Sequence, residues 1–328
     1  MTSVDVAIPN YNYGRFLRSC VESVQKQNVA GLRILIIDNA STDDSAALAR
    51  EIAAADPRVH LRLRQRNLGA HASFNEAIDW AEADCFTLLC ADDYLPAGAL
   101  ARACAALQAH PDANMVFGET LFVQDGDAAA VPAASGAPGG ACWSGNRFLQ
   151  ACCATGRSPV SGPTTVVRTH AQKRLGYYRT DLSHTDDMEM WMRFAALGSI
   201  VKLDDVQSIV RIHGANQSAV LHNVHHWNVE SEAAFEAFFA GHGKSLSDAR
   251  TLLRTARRSL SDRAYWCAFS HFVRGDPGAR DLMAFALKRR PVSAIVPPVG
   301  YLWRRPDTAK RLAALFGRPA RTPLVQST

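Results

Sequence analysis

The sequence lacks several features that would place it in a broad class at once. Its eight cysteines include no C-x-x-C pair, which argues against a zinc site and, without a secretory signal, against a disulfide framework. There is no run of about 18 uncharged apolar residues, so we expect no membrane-spanning helix. No basic stretch followed by an apolar one opens the chain. These absences predict a cytoplasmic protein with reduced cysteines.

A dinucleotide-binding fingerprint is also missing. No G-x-G-x-x-G follows the first predicted strand, which disfavours a dehydrogenase. What the 328 residues do contain is an ordinary globular composition, with 48% hydrophobic and 20% charged residues. The chain is long enough for one large domain or two ordinary ones. Disordered and collagen-like classes are therefore excluded.

The positive charge is concentrated at the C-terminal end. Residues 1–225 have a net charge of −4, whereas residues 226–328 have a net charge of +9. An acidic partner would therefore bind at this end of the chain. No nucleic-acid recognition motif accompanies the charge, so we expect no nucleic acid as a partner.

The first half alternates short apolar runs with helical patterns. Strands are predicted at 4–9, 33–38, 59–64, 85–90 and 114–123, with helices between the first four and after the fourth. This alternation predicts an α/β fold, a mostly parallel sheet with helices on both faces. From about residue 226 only helical patterns remain. We therefore expect one domain over 1–225, with halves 1–110 and 111–225, and a basic α-helical region over 226–328.

Polar residues follow the predicted strands at one edge of this sheet. Three clusters stand at strand ends: Pro9-Asn10-Tyr11, Asp38-Asn39 and Asp92-Asp93. Ligands of parallel sheets bind outside the carboxyl ends of the strands. The three clusters should therefore converge on one binding site.

Two adjacent aspartates, Asp92 and Asp93, end the apolar run of the fourth predicted strand. Their charges repel, so a chain that only had to turn here could use Asn, Gly or Ser at lower cost. Paired carboxylates at a strand end can hold Mg²⁺ or Mn²⁺, which neutralises a diphosphate. The alternative is a simple turn in which Asp92 caps a helix that begins near Pro96.

Taken together, the motifs resemble the family 2 glycosyltransferases, inverting enzymes of the GT-A fold, over about residues 3–218. The segments VAIPNYNYGRF, ILIIDNASTDD and RNLGAHASFNEAIDWAEADCFTLLCADDYLP occur in the order of that family. The resemblance implies that Asp38 contacts the uracil of a UDP-sugar, Asp92 contacts ribose and Asp93 binds the metal. A carboxylate at position 38 can accept the N3–H of uracil, which cytosine lacks. The alternative is that Asp38 is the aspartate of an Asx turn in the segment DNASTD. Further residues expected on the nucleotide side are Pro9, Asn10, Tyr11 and Asn67.

One position departs from the pattern of the family. Most relatives have a further aspartate two positions before Asp92, and Cys90 stands there. The predicted metal site therefore has one carboxylate fewer, which bears on metal affinity. By the same resemblance His213, just after a late predicted strand, is a candidate third ligand. The alternative is a loop histidine with local hydrogen bonds.

The segment HTDDMEMWMRF (184–194) resembles the acceptor-side element of the family, in which the base is an aspartate six residues before an arginine. That aspartate is Asp187, the arginine is Arg193, and Asp186 is the alternative base. Displacement at the anomeric carbon needs a carboxylate that takes the proton of the acceptor hydroxyl. Acidic residues at a helix N-terminus are also favoured by the free backbone amides, so the two roles are compatible.

The resemblance implies a metal-dependent, inverting, hexosyltransferase-type glycosyltransferase that uses Mn²⁺ or Mg²⁺. It would move a sugar from a nucleotide-diphosphate donor, expected to be a UDP-sugar, to a hydroxyl of a glycan or lipid-linked acceptor in polysaccharide or surface-glycan synthesis. Residues 1–110 would bind the nucleotide and 111–225 the acceptor. Two alternatives stay open. One is a sugar-phosphate nucleotidyltransferase, although the loop PNYNYGRF does not match the Gly-rich loop of those enzymes, and the other is a non-catalytic nucleotide-sugar-binding module.

The C-terminal segment 291–321 mixes apolar residues with arginines, as an interfacial membrane anchor does. We therefore hypothesise a peripheral contact with the inner face of the membrane. The alternative is that these apolar residues cover the catalytic domain.

Overall fold

The computed structural model describes residues 2–127, 129–132, 140–214, 216 and 224–303. Its strands are β1 (Val4–Asn10), β2 (Leu32–Asp38), β3 (Val59–Leu63), β4 (Cys85–Leu88), β5 (Ala113–Gln124), β6 (Ala141–Trp143), β7 (Val166–Arg168) and β8 (Ser199–Ile212). Its helices are α1 (Gly14–Gln25), α2 (Ser45–Ala55), α3 (Ala70–Trp80), α4 (Ala99–Ala109), α5 (Gly145–Thr155), α6 (Thr169–Leu175), α7 (Asp186–Leu197), α8 (Val224–Ala240), α9 (Ala249–Arg274), α10 (Ala279–Arg289) and α11 (Gly300–Trp303).

All eight strands form one sheet in the order β3-β2-β1-β4-β7-β5-β8-β6. Strand β1 pairs in parallel with β2 and β4, and the pairs β2–β3 and β5–β8 are also parallel. The short β7 runs antiparallel between β4 and β5, and β6 is an antiparallel edge strand. The predicted α/β class with a mostly parallel sheet is confirmed.

Alternate residues of the central strands enter two different cores. In β1 and β2, Val6 and Ile36 pack with α1, α2 and α4 on one face. Their neighbours Ala7 and Ile37 pack with α3, α5 and α7 on the other. Because side chains of a strand alternate between faces, a strand buried on both faces must be apolar throughout. This explains why these strands appear in the sequence as unbroken apolar runs.

The C-terminal helices extend the second of these cores. Phe235 and Phe238 of α8 and Leu260 of α9 are fully buried and belong to the same apolar cluster as α5 and α7. Helix α9 ends before Gly275, which has a left-handed φ of 71°, and α10 follows this turn. The division of the chain near residue 225 into two domains stays a prediction.

The turn after β4 differs from the alternative predicted for it. Helix α4 begins at Ala99 rather than near Pro96, and its first turn follows Gly98, whose φ is 73°. Within the described residues no side chain caps this helix, so Asp92 has no capping role. The two aspartates therefore need another explanation.

Part of the C-terminal segment is described and part is not. Residues 304–328 lie outside the described residues, as do residues 128 and 133–139 in the Gly/Ala/Pro-rich stretch 124–140. The described part contains a 3₁₀ turn, Pro291–Ala294, and then α11. The indole N–H of Trp266 in α9 donates to the carbonyl oxygen of Pro298 over 3.0 Å, which holds this segment against α9. None of the helices in the described ranges is long and apolar enough to cross a membrane.

Candidate active site

The first part of the site joins the ends of β1 and β2. Asn10 Nδ2 donates to Asp38 Oδ1 over 2.8 Å, and both residues are only 2% exposed. Ser41 completes a local turn, since its hydroxyl donates to Asp38 Oδ1 over 2.6 Å and its backbone N–H to Oδ2 over 3.1 Å. Among the described residues, Asn10 Oδ1 has no hydrogen-bond partner. A buried acceptor of this kind is costly unless a ligand satisfies it.

Asn67 lies beside this pair. Asn39, the residue after β2, donates from Nδ2 to Asn67 Oδ1 over 2.7 Å. The same Asn67 oxygen accepts the backbone N–H of Gly69 over 2.8 Å. Of the remaining predicted nucleotide-side residues, Pro9 lies within β1 and Tyr11 follows it with 42% exposure. The structure thus places all of these residues at one edge of the sheet.

Asp92 and Asp93 lie just after β4 and are both buried, at 7% and 5% exposure. One oxygen of Asp93 accepts the backbone N–H of Arg211 over 3.2 Å. Burial, and then the charge of Asp92, raise the pKa of Asp93 well above its usual range. Burial also raises the pKa of Asp92, although His213 opposes that shift. The pair is thus an electrostatically costly arrangement that a cation would relieve.

Cys90, which stands where the family pattern has a further aspartate, lies beside Asp92 and Asp93. Sγ of Cys90 and carboxylate oxygens of Asp92 and Asp93 all lie within 4.8 Å of one another. Cys90 is exposed to solvent, whereas the two aspartates are not. Its thiol therefore lies at the open side of the carboxylate pair.

His213 reaches the same group from β8. Its Nε2 lies 3.3 Å from Asp92 Oδ2, and its ring is 4.7 Å from that of Phe16. Asn216 Nδ2 donates to the same Asp92 oxygen over 3.2 Å. His213 thus contacts Asp92, the aspartate predicted to bind ribose, and not Asp93, the aspartate predicted to bind the metal. Its role as a metal ligand stays a prediction.

Arg211 holds the aspartate turn in place and was not singled out from the sequence. Its guanidinium donates to the carbonyl oxygen of Asp92 over 2.7 Å and to Ser19 Oγ over 2.8 Å. It also lies 4.4 Å from the ring centre of Tyr94, a cation–π distance. The only sequence signal was a basic residue two positions before His213. Arg211 therefore ties β8 and α1 to the turn after β4.

The two aspartates predicted for the acceptor side, Asp186 and Asp187, begin α7. Asp186 is buried, and its Oδ2 lies 3.3 Å from Nε2 of His71 in α3. That contact raises the pKa of His71 above its ordinary value. Asp187 is the next residue, and its Oδ1 accepts the backbone N–H of Met188 over 2.5 Å. Asp186 and Asp187 therefore lie at the N-terminus of a helix. The sequence offers this position as the alternative to a catalytic role.

Asp187 is exposed to solvent, although many protein atoms surround its carboxylate. Desolvation by these surroundings, and then the charge of Asp186, raise the pKa of Asp187 to about 7. A carboxylate with a pKa near the working pH is well matched to general-base catalysis. Perturbed carboxylates of this kind cluster at functional sites.

The charges of the α7 aspartates and of Cys90 act on the same buried tyrosine, Tyr178. Burial raises the pKa of Tyr178 well above its usual range, and the charges of Asp186, Asp187 and Cys90 act in the same direction. Asp186 likewise contributes to the raised pKa of Cys90, after desolvation and the charges of Asp92 and Asp93. These electrostatic effects on pKa require short distances, because dissolved salt screens the interaction between exposed charges that are more than about 10 Å apart. The α7 aspartates therefore lie near the Cys90 side of the site.

The donor set after β4 fits a divalent cation. Two carboxylates and a thiol converge within 4.8 Å, as ligands of one ion must. Within the described residues, the single hydrogen bond of the Asp93 carboxylate is the one from Arg211 N–H, which leaves its second oxygen free to bind a ligand. Hard divalent ions take carboxylate oxygens, and softer ones also take thiolate.

Comparison with known proteins agrees with this arrangement. Residues 5–135 match the family model described as Glycosyl transferase family 2. Glycosyltransferase GlyG of Streptococcus pneumoniae is 27% identical over 124 residues, which are 38% of this chain and 41% of the relative. A Campylobacter jejuni protein named GalNAc(5)-diNAcBac-PP-undecaprenol beta-1,3-glucosyltransferase is 28% identical over 128 residues, covering 39% of this chain and 41% of that protein. The matched segment thus spans less than half the length of these relatives.

Solved structures resemble nearly the whole chain. TarS 1-349 of S. aureus in complex with UDP-GlcNAc has a TM-score of 0.57 at 16% identity, covering 91% of this chain and 92% of that one. The mannosyltransferase PcManGT from Pyrobaculum calidifontis, in complex with GDP-Man and Mn²⁺, has a TM-score of 0.55 at 17% identity, covering 95% and 79%. At such low identity these likenesses show the fold alone. The solved structures show a GT-A fold, and residues 5–135 carry the sequence match to family 2 of the glycosyltransferases.

Proposed function

We propose that this protein transfers a sugar from a nucleotide-diphosphate donor, with a UDP-sugar the best supported, to a hydroxyl on a glycan or lipid-linked acceptor, inverting the anomeric carbon. One observation carries the proposal. The Asn10–Asp38 pair and the Cys90, Asp92 and Asp93 group lie at or just after the ends of parallel, paired strands, and the charge of Asp186 at the start of α7 acts on Cys90. These three groups would bind, in turn, the base of the nucleotide, the diphosphate with its cation, and the acceptor hydroxyl.

The base of the nucleotide would be bound by Asp38. Its carboxylate accepts the N3–H of uracil, while cytosine has no N–H at that position. Asn10 and Ser41 hold the carboxylate in place, and the unpartnered Asn10 Oδ1 is a further acceptor for a ligand N–H or O–H. The UDP-GlcNAc in the complex of TarS supports a uridine donor, and the GDP-Man of PcManGT is the alternative.

The diphosphate would be bound after β4. Asp93, assisted by Asp92, would hold Mn²⁺ or Mg²⁺, with His213 as a further candidate ligand. When bound, the ion supplies charge neutralisation for the diphosphate leaving group. Arg211 keeps the two aspartates oriented by binding the Asp92 carbonyl oxygen.

The proton of the acceptor would be taken by Asp187. With a pKa of about 7 its carboxylate is ionised in a large share of molecules at neutral pH. As the acceptor oxygen bonds to the anomeric carbon, its proton passes to Asp187 and the bond to the nucleotide diphosphate breaks. His71 keeps the neighbouring Asp186 ion-paired, so Asp186 is the less suitable base.

A lipid-linked acceptor and a peripheral membrane contact form part of the proposal. The name of the Campylobacter jejuni relative includes a PP-undecaprenol-linked glycan. Exposed apolar side chains follow one another near the described end of the chain, including Phe272 at 77%, Ile295 at 85% and Trp303 at 87% exposure. Exposed apolar residues among basic ones suit the surface of an anionic membrane. We therefore propose a cytoplasmic protein that works at the inner face of the membrane.

Calorimetric titration with UDP, GDP, dTDP and CDP, each with and without Mn²⁺, tests the donor. We expect UDP to bind tightly only with the metal. Release of UDP from a panel of UDP-sugars then tests turnover. Tight binding of UDP without turnover of any donor would favour the non-catalytic module, and binding of none of the four nucleotides would overturn the proposal.

A further inference from the structure

Cys90 occupies a position in which a thiol can coordinate. Its Sγ and oxygens of Asp92 and Asp93 are mutually within 4.8 Å, and within the described residues no other group of three or more acidic, histidine or cysteine side chains meets this criterion. Two atoms bound to one cation by bonds of 2.0–2.5 Å are at most about 5 Å apart, so this spacing fits a shared ion.

The neighbours of Cys90 leave an ion as the natural partner of the site. Asp93 is 5% exposed, and among the described residues its carboxylate has only the hydrogen bond from Arg211 N–H. A buried carboxylate next to a second carboxylate carries costs of desolvation and charge repulsion that a cation would reduce. Because Cys90 is exposed, an ion arriving from solvent meets the thiol and the carboxylates together.

Sulfur changes which ion such a site prefers. Carboxylates alone suit Mg²⁺, Ca²⁺ and Mn²⁺, whereas a thiolate favours softer ions such as Zn²⁺. An aspartate at position 90 would have made the group all-oxygen. His213 contacts Asp92 over 3.3 Å but is not a member of the group within 4.8 Å, so the sulfur of Cys90 is what distinguishes this group from an all-oxygen one.

We propose that Cys90 is a ligand of the divalent ion and shifts the preference of this site from Mg²⁺ toward thiophilic ions. The proposal rests on the proposed function for the use of the metal in catalysis, but metal binding can be measured without donor or acceptor. Cys90 is then a specificity-determining residue rather than a simple loss of the family aspartate.

The chain offers a matched control. Cys142 on the edge strand β6 is likewise an exposed free cysteine, but it belongs to no group of metal-ligating side chains in the described part of the chain. Cys142→Ser therefore removes another exposed cysteine without changing the site. Cys90→Ser removes the sulfur, and Cys90→Asp restores the all-oxygen set.

The experiment is a titration of the full-length protein and the three variants with Cd²⁺, followed by ultraviolet absorption, because a thiolate–Cd²⁺ bond gives a charge-transfer band. We expect the band to appear with the first equivalent in the wild type and in Cys142→Ser. It should be absent at that equivalent in Cys90→Ser and Cys90→Asp. Circular dichroism of each variant confirms that it is folded.

Calorimetry supplies the second readout. Loss of the thiol should lower the affinity for Zn²⁺ and for Cd²⁺ by about tenfold or more. The affinity for Mg²⁺ should be nearly unchanged in Cys90→Ser. It should be higher in Cys90→Asp than in the wild type. An unchanged Cd²⁺ band in Cys90→Ser, or an unchanged ratio of Zn²⁺ to Mg²⁺ affinity, would overturn the proposal.

The two proposals fail in different ways. If Cys90 is no ligand but UDP-sugars are still turned over with Mn²⁺ or Mg²⁺, only the inference about Cys90 is wrong. If the Cd²⁺ band depends on Cys90 but no nucleotide binds with any metal, the proposed function is wrong and the metal site stands.

Discussion

Asn10 donates from Nδ2 to Asp38 Oδ1 over 2.8 Å, across the ends of two parallel strands that pair in register at these residues. The bond links the end of the first strand to the carboxylate proposed to bind the nucleotide base. It points the Asp38 carboxylate toward the same edge of the sheet as Asp92 and Asp93. The nucleotide side of the site is therefore preformed by backbone register.

Asp38→Asn should weaken UDP binding by about tenfold or more, because an amide replaces a charge-assisted acceptor. The variant keeps the shape of the side chain, so the fold should be retained. Calorimetry with UDP and CDP measures the effect, and the preference for UDP over CDP should shrink. Asp84→Asn is the control, since Asp84 pairs with Ser3 at the opposite end of the strands. Equal UDP affinity in the wild type and Asp38→Asn would refute the assignment.

Asp187→Asn should reduce transfer by about 10²-fold to 10⁴-fold while leaving UDP affinity within about twofold. The amide cannot accept the proton of the acceptor hydroxyl, but it preserves the N-terminus of α7. Turnover of the best UDP-sugar and calorimetry with UDP separate the two effects. An unaffected rate would mean that Asp187 is not the base.

The rate should depend on pH with a midpoint set by Asp187. Its pKa of about 7 lies above the ordinary aspartate value, and the ionised form is the active one. Transfer should therefore rise with pH through about 7 and level off above it. Measurement of kcat from pH 5.5 to 9 with saturating donor tests this. A profile that is flat across neutral pH would contradict the raised pKa.

His71→Gln should destabilise the protein by about 1 kcal/mol, and more strongly at low pH than at high pH. The pKa of His71 is raised in the folded state by Asp186. The stabilisation is therefore fully present below the unfolded-state pKa and is lost as pH rises through the folded-state pKa. Urea unfolding of both proteins at pH 5.5 and 8.5 measures the difference, and a cost that is equal at both pH values would argue against the ion pair.

Arg211→Lys should weaken Mn²⁺ binding by about tenfold, because a single ammonium cannot bind both the Asp92 carbonyl oxygen and Ser19 Oγ. The substitution keeps the positive charge, so the change reports geometry rather than electrostatics. Arg18→Lys is the matched control, since Arg18 makes an exposed ion pair with Glu51. If both variants bind Mn²⁺ as the wild type does, Arg211 has no positioning role.

The exposed apolar side chains near the described end of the chain should mediate vesicle binding. Combined replacement of Phe272, Ile295 and Trp303 by Ser should abolish sedimentation with vesicles that contain anionic lipid, because each side chain is more than three-quarters exposed. Tyr177→Ser, which removes an aromatic ring that is 53% exposed elsewhere, should have no effect. Failure of the wild-type protein to sediment at low salt would remove the membrane hypothesis.

Much of the fold followed from local pattern. Phe16, Leu17, Cys20, Val21 and Val24 recur at helical spacing, and all five are buried on α1. The polar clusters at strand ends were likewise readable, because parallel strands present their carboxyl ends at one edge. Helix α4 was less accurately placed, since a chain near a proline can form turns of several kinds before a helix begins.

The amino-acid sequence was enough to predict the alternating strands and helices of the first half, the sheet edge that collects polar residues, and the aspartates at that edge. Periodicity and strand direction are local properties, so they can be read along the chain. Folding brings Arg211 to the aspartate turn, 119 positions from Asp92, and pairs His71 with Asp186. It also places the Cys90 thiol within reach of both carboxylates. These contacts depend on how distant segments pack, and the raised pKa of Asp187 depends on the protein packed around it, so no local pattern reveals them.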